Sequence, residues 1–101
     1  MQSMIDNYKI WYLGGSPQYE AIVECFFNED RVGTIRFMKD GVSPPPNQIT
    51  GQEMQFYYTH DHFSNITTIL RHEEPLFMDL DETTNFGWIA TRTREPVGES
   101  E

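Results

Sequence analysis

A chain of 101 residues has room for one domain and a single core, so a second domain is not expected. Its net charge of −9, with no basic stripe to release counterions, works against nucleic acid or an anionic membrane as a partner. The 14% aromatic and 23% charged residues are those of a folded protein, and the sole cysteine, Cys25, excludes an internal disulfide.

No charged-then-apolar leader opens the chain and no apolar run approaches membrane-spanning length, so a cytoplasmic location is the expectation. Met1 to Asn7 read as a frayed start. Tyr8 to Leu13, aromatic and β-branched, predict a strand that Gly14-Gly15-Ser16-Pro17 ends.

Tyr19 to Lys39 form the unit around which the rest is arranged, a β-hairpin with arms Tyr19 to Phe27 and Val32 to Lys39 and the polar loop Asn28 to Arg31. With a period of two, Tyr19, Ala21, Val23, Cys25 and Phe27 share one face, and Glu20, Ile22, Glu24 and Phe26 the other. Setting Phe27 opposite Gly33 puts Ile35 and Phe37 on the apolar face. It also places Glu24 across from Arg36, Ile22 from Met38 and Phe26 from Thr34. A one-residue slip would set Glu24 beside Ile35 and Arg36 beside Val23, so the first register is preferred. The preceding strand folds back on the first arm, giving a three-stranded meander through Met38.

Pro44, Pro45 and Pro46 fix an extended connector. Gln52 to Tyr58 supply a fourth strand or the lead into a helix. That helix runs from Thr59 or Asp61 to His72. At about 100° per residue Phe63, Ile66, Ile69 and Leu70 share an arc, with Asp61, Ser64, Asn65, Thr68 and Arg71 outside it. Thr59 and Asp61 are competent N-caps, and Pro75 takes Glu74 out of helical geometry. A second hairpin joins Leu76 to Leu80 with Phe86 to Thr91 through Asp81 to Asn85. Pairing Leu80 with Phe86 puts Leu76, Met78, Leu80, Phe86, Trp88 and Ala90 on one face and sets Phe77 against Ile89. The domain is expected over residues 1–94, with 95–101 a polar tail.

The order predicts an α+β fold: a curved antiparallel sheet or half-barrel of five to six strands with one amphipathic helix. A second apolar set, Ile22, Phe26, Met38, Phe77 and Ile89, is left off the face that the helix covers. These five are the candidate interface or ligand residues, unless a closing sheet curls them inward.

Among the chemical signals, His60, His62 and His72 with Cys25 include metal-ligand types. Zinc needs about four ligands converging on one point; His60 and His62 point the same way if the segment is extended, and diverge by roughly 160° if it is helical. A half-buried histidine on the helix arc is the plainer account of His62. An acid–base pair of His60 or His62 with Asp61 meets the same obstacle, since adjacent helical residues do not face each other. Cys25 has no basic neighbour and reads as an inert buried thiol. No cofactor-binding pattern occurs. Glu73, Glu74, Asp79, Asp81 and Glu82 concentrate negative charge; they read as a solvated face, or as a docking surface for a basic partner.

The stretch Ile69 to Leu76 and the ending Thr93 to Glu101 resemble a group of short uncharacterised bacterial proteins with a leucine-arginine-x-glutamate-x-proline segment and a glutamate-proline-valine-glycine-glutamate terminus. The resemblance implies a bacterial source and a small single-domain protein, and carries no activity over. It also makes Glu95 to Glu99 a candidate docking tail. The resulting expectation is a non-enzymatic interaction or binding module that pairs with itself as a homodimer or with another protein. The alternatives are a small barrel holding an apolar ligand and an enzyme using one of the three histidines.

Overall fold

The computed structural model describes residues 1–91; the boundary at residue 94 and the Glu95 to Glu99 tail lie outside the described residues. The strands are β1 (Gln2–Ile5), β2 (Asn7–Tyr12), β3 (Tyr19–Phe27), β4 (Asp30–Met38), β5 (Gln48–Thr50), β6 (Glu53–Thr59), β7 (Leu76–Asp81) and β8 (Phe86–Thr91). The helix α1 (Phe63–His72) follows β6 through a 3-10 turn at His60–His62. The fold is α+β with one amphipathic helix, as expected, but the described residues hold eight strands in two sheets rather than five to six in one. Their orders are β2-β3-β4-β6-β5 and β1-β7-β8.

The first residues are not frayed. β1 and β2 are separated by Asp6 alone, so one extended run pairs with β7 by its first part and with β3 by its second. Asp6 sits at the bend, donating its N–H to the carbonyl of Phe26 at 2.9 Å and accepting the N–H of Asn28 on its carboxylate at 3.1 Å. The two sheets are thereby joined into an open curl. The meander β2-β3-β4 is present as expected. All ladders are antiparallel except β4 with β6, which is parallel from Gly33↔Met54 to Met38↔Thr59. The connector and β5 account for this exception: the chain passes beyond the place of β6 to lay down β5 at the sheet edge, then reverses at Gly51 and Gln52 into β6, which therefore runs in the same direction as β4.

Both hairpin registers differ from the sequence expectation, with unequal consequences. In β3–β4, Asn28 and Glu29 both have positive φ, 52° and 71°, and form a two-residue turn that leaves Asp30 and Arg31 in the strand. A bulge follows at Cys25/Phe26, so Cys25 faces Gly33, Glu24 faces Thr34 and Ile22 faces Arg36. The register moves by two residues, and the faces are therefore preserved. Ala21, Val23, Cys25, Ile35 and Phe37 all lie in the core.

In β7–β8 the shift is a single residue. Leu80 pairs with Gly87 and Asp81 with Phe86, not Leu80 with Phe86. Asp81 builds the turn, its carboxylate accepting the N–H of Thr83 at 2.9 Å and its carbonyl that of Asn85 at 2.8 Å; Asn85 has φ 61°. Every β8 side chain changes face as a result. Gly87 and Ile89 turn inward with Leu76, Met78 and Leu80, while Phe86 and Trp88 turn out. Packing explains the choice, because a Cβ on Gly87 would lie 2.7 Å from Phe56 Cε2. No ring fits at that point.

The inner faces of both sheets and the buried residues Ile66 and Leu70 of α1 enclose one core. Phe63 packs edge-on against Phe37 and Tyr12, with centroids 5.1 and 5.5 Å apart. Neither Thr59 nor Asp61 caps α1 with a side-chain hydrogen bond; instead the Thr59 hydroxyl donates to the Asp61 carboxylate. The helix stops at His72, with Glu73 in extended geometry.

Candidate interaction surface

The five candidate residues Ile22, Phe26, Met38, Phe77 and Ile89 do not share a surface. Met38 is 3% exposed beside Tyr19, and Ile89 points inward against the core. Ile22 and Phe26 are half-buried on the outer face of the five-stranded sheet. Phe77 lies on the outer face of the three-stranded one. The stripe depended on Ile22 facing Met38 and Phe77 facing Ile89; the observed partners are Arg36 and Ala90.

The outer face of the five-stranded sheet binds up its own charge. Trp11 donates its indole N–H to Glu24 at 2.6 Å, and Lys9 lies 4.2 Å over the Trp11 ring. Arg31 bridges Glu24 at 2.6 Å and Glu53 at 2.8 Å. The bond from Trp11, followed by that from Arg31, holds the Glu24 carboxyl below the usual carboxylate range, and the bond to Glu53 raises the Arg31 guanidinium. Arg36 donates to the Gln55 side-chain oxygen and lies 5.7 Å from the Tyr57 ring and 6.0 Å from that of Tyr19.

The histidines are dispersed. His60 and His62 lie exposed in the 3-10 turn, the His62 ring 5.5 Å from that of Tyr58, and His72 ends α1. His62 therefore does not enter the helix arc as expected. Among the described residues no group of three or more His, Cys, Asp or Glu side chains is placed to hold a metal ion. Asp61 is held below its ordinary range first by the Thr59 hydroxyl, then by its own backbone. Cys25 is fully buried and its thiol is pushed up to about 12 by desolvation, which removes the thiolate needed of a nucleophile.

The open surface is the outer face of the three-stranded sheet. Register places Met4, Phe77 and Ala90 in one row, Gln2, Asp79 and Trp88 in the next, and Asp81 beside Phe86. Phe86 is 66% and Trp88 39% exposed, their rings 5.7 Å apart. A depression of about 400 Å³ lined by Gln2, Ser3, Met4 and Phe77 lies at β1 and β7. β8 is a sheet edge, so its outer backbone has no strand partner among the described residues. It contains no proline, lysine or bulge of the sort that blunts such edges.

Sequence reasoning missed Phe86, Trp88 and Met4. One signal was available: Gly87 between two rings marks a close backbone approach, which turns its neighbours outward.

The fold and this face define an α+β domain with an exposed aromatic sheet edge. Comparison of the chain with protein-family models, curated proteins and solved structures finds no match.

Proposed function

We propose that this chain is a non-enzymatic protein-interaction module that works through the outer face of its three-stranded sheet. The observation that carries the reading is the pair Phe86 and Trp88, solvent-facing on an unpaired edge strand although the same β8 buries Ile89. Exposed contiguous aromatics cost solvation and favour aggregation, so they are retained where a partner covers them. The face supports either a second copy of the chain or another protein. Nucleic acid and lipid are set aside on charge, and no helix among the described residues is long and apolar enough to cross a membrane. A buried free thiol is compatible with the reducing cytoplasm, where we place the module.

The test is sedimentation velocity of the full chain across micromolar concentrations, alongside a Phe86→Ser/Trp88→Ser variant. A dimer abolished in the folded variant supports the self-pairing form. A wild-type monomer directs the search to a different protein. A dimer that the variant leaves unchanged removes this face from the proposal. The apolar-ligand reading has less support, because the two sheets do not close into the barrel that it assumes.

A further inference from the structure

The outer face of the three-stranded sheet combines three features that constrain its occupant. The first is an edge strand whose outer backbone has no strand partner among the described residues, which calls for another extended segment. The second is aromatic surface, Phe86 and Trp88 at the edge with Phe77 further in, which calls for apolar or cationic side chains. The third is charge. Between Arg71 and Arg92 the sequence holds Glu73, Glu74, Asp79, Asp81 and Glu82 and neither lysine nor arginine. Asp79 lies directly across from Trp88 and Asp81 across from Phe86. These carboxylates therefore flank the rings on the same face. Unlike Glu24 and Glu53, neither Asp79 nor Asp81 forms an ion pair within the described residues.

We infer that β8 takes up an extended, basic segment of another protein, which adds to the sheet edge as a fourth strand and lays lysine or arginine side chains over Phe86 and Trp88 within reach of Asp79 and Asp81. The inference rests on the proposed interaction role of this face and names its partner. Cations over an indole face are attracted by the ring and here also by the neighbouring carboxylates. A second copy fits less well, since it brings another set of the same carboxylates and a further charge of −9. The outer face of the five-stranded sheet is a weaker choice, because Glu24 and Glu53 are already bridged by Arg31 while Lys9 lies over Trp11 and Arg36 bonds Gln55.

The probe is a seven-residue peptide of alternating lysine and valine, titrated into the ¹⁵N-labelled full chain and followed by amide NMR. A glutamate–valine peptide is the control. Saturable shifts in Phe86 to Thr91 and in the Trp88 indole with the basic peptide alone are the expected result. Asp79→Asn/Asp81→Asn, which keeps the acceptor that Thr83 uses, should weaken binding about three- to tenfold. N-methylating alternate residues along one edge of the peptide should abolish binding, whereas methylating the other edge should not. Equal response to both peptides, indifference to the two aspartate substitutions, or no shift in β8 overturns the inference. If in that case the chain still dimerises and Phe86→Ser/Trp88→Ser prevents it, the interaction role survives with a second copy as occupant. Failure of both experiments removes the role as well.

Discussion

At the scale of single residues, Gly87 decides more than its size suggests. Its missing side chain lets β8 lie against Phe56, where a Cβ would also come within 3.1 Å of the Asp79 carbonyl and of Leu80 Cδ1. Gly87→Ala should therefore cost about 1–3 kcal/mol in urea unfolding, by overpacking a contact whose neighbours include backbone. Glu24 supplies a pH dependence. Its carboxyl titrates lower folded than unfolded because Trp11 and Arg31 bond its ionised form. The stabilisation is thus fully present above the ordinary carboxylate range and is lost as pH falls through the folded value. Glu24→Gln should lower stability most near neutrality, where the bonds to the ionised carboxylate are present, and flatten the acid limb, so that the two profiles converge at low pH. An unchanged acid limb in equilibrium denaturation from pH 3 to 7 would show that the bonds persist in the unfolded chain.

Among the elements, β8 provides the sharpest contrast, since adjacent residues are assigned to opposite sides. Ile89→Glu places an unpaired carboxylate against the core and should cost roughly 3 kcal/mol or more. Trp88→Glu, facing solvent, should stay within about 1 kcal/mol of the parent. Thermal melts of the two variants distinguish the observed register from its one-residue alternative, which reverses their order. This element also shows where the sequence was readable. The faces of β3 and β4 were legible because Ala21, Val23, Cys25, Ile35 and Phe37 alternate, and alternation survives a two-residue error. The helix was legible from Ile66 and Leu70, its boundary less so, because Thr59 bonds Asp61 instead of capping. β8 was misread because pairing Leu80 with Phe86 gave both arms one shared apolar face, while the deciding contact, Gly87 on Phe56, joins residues from different sheets. The five candidate residues were dispersed by both register shifts and by the division into two sheets. The parallel β4–β6 ladder was illegible because β5, the strand that reverses the chain before β6, is three residues long and too short to show an alternating pattern.

For the whole molecule, the shared run through Asp6 predicts that the two sheets unfold together. Trp11 and Trp88 stand on different sheets, so single-tryptophan versions, Trp88→Phe and Trp11→Phe, report on them separately. Their urea transitions should each coincide with that of the far-ultraviolet circular dichroism of the same variant. A fluorescence transition that precedes the loss of secondary structure in either variant would show that its sheet melts independently and that the bend at Asp6 is a hinge rather than a joint.

The same run has a consequence for how the protein is made. β1 is synthesised well before its partner β7, since its ladder runs from Gln2 with Asp79 to Ile5 with Leu76. The meander can assemble and α1 can cover part of it while synthesis continues, but β1 has no strand partner and the core lacks Leu76, Met78 and Leu80 until β7 emerges. Between the synthesis of β1 and that of β7 this topology leaves the core incomplete, so closure of the three-stranded sheet is a late, long-range step of folding.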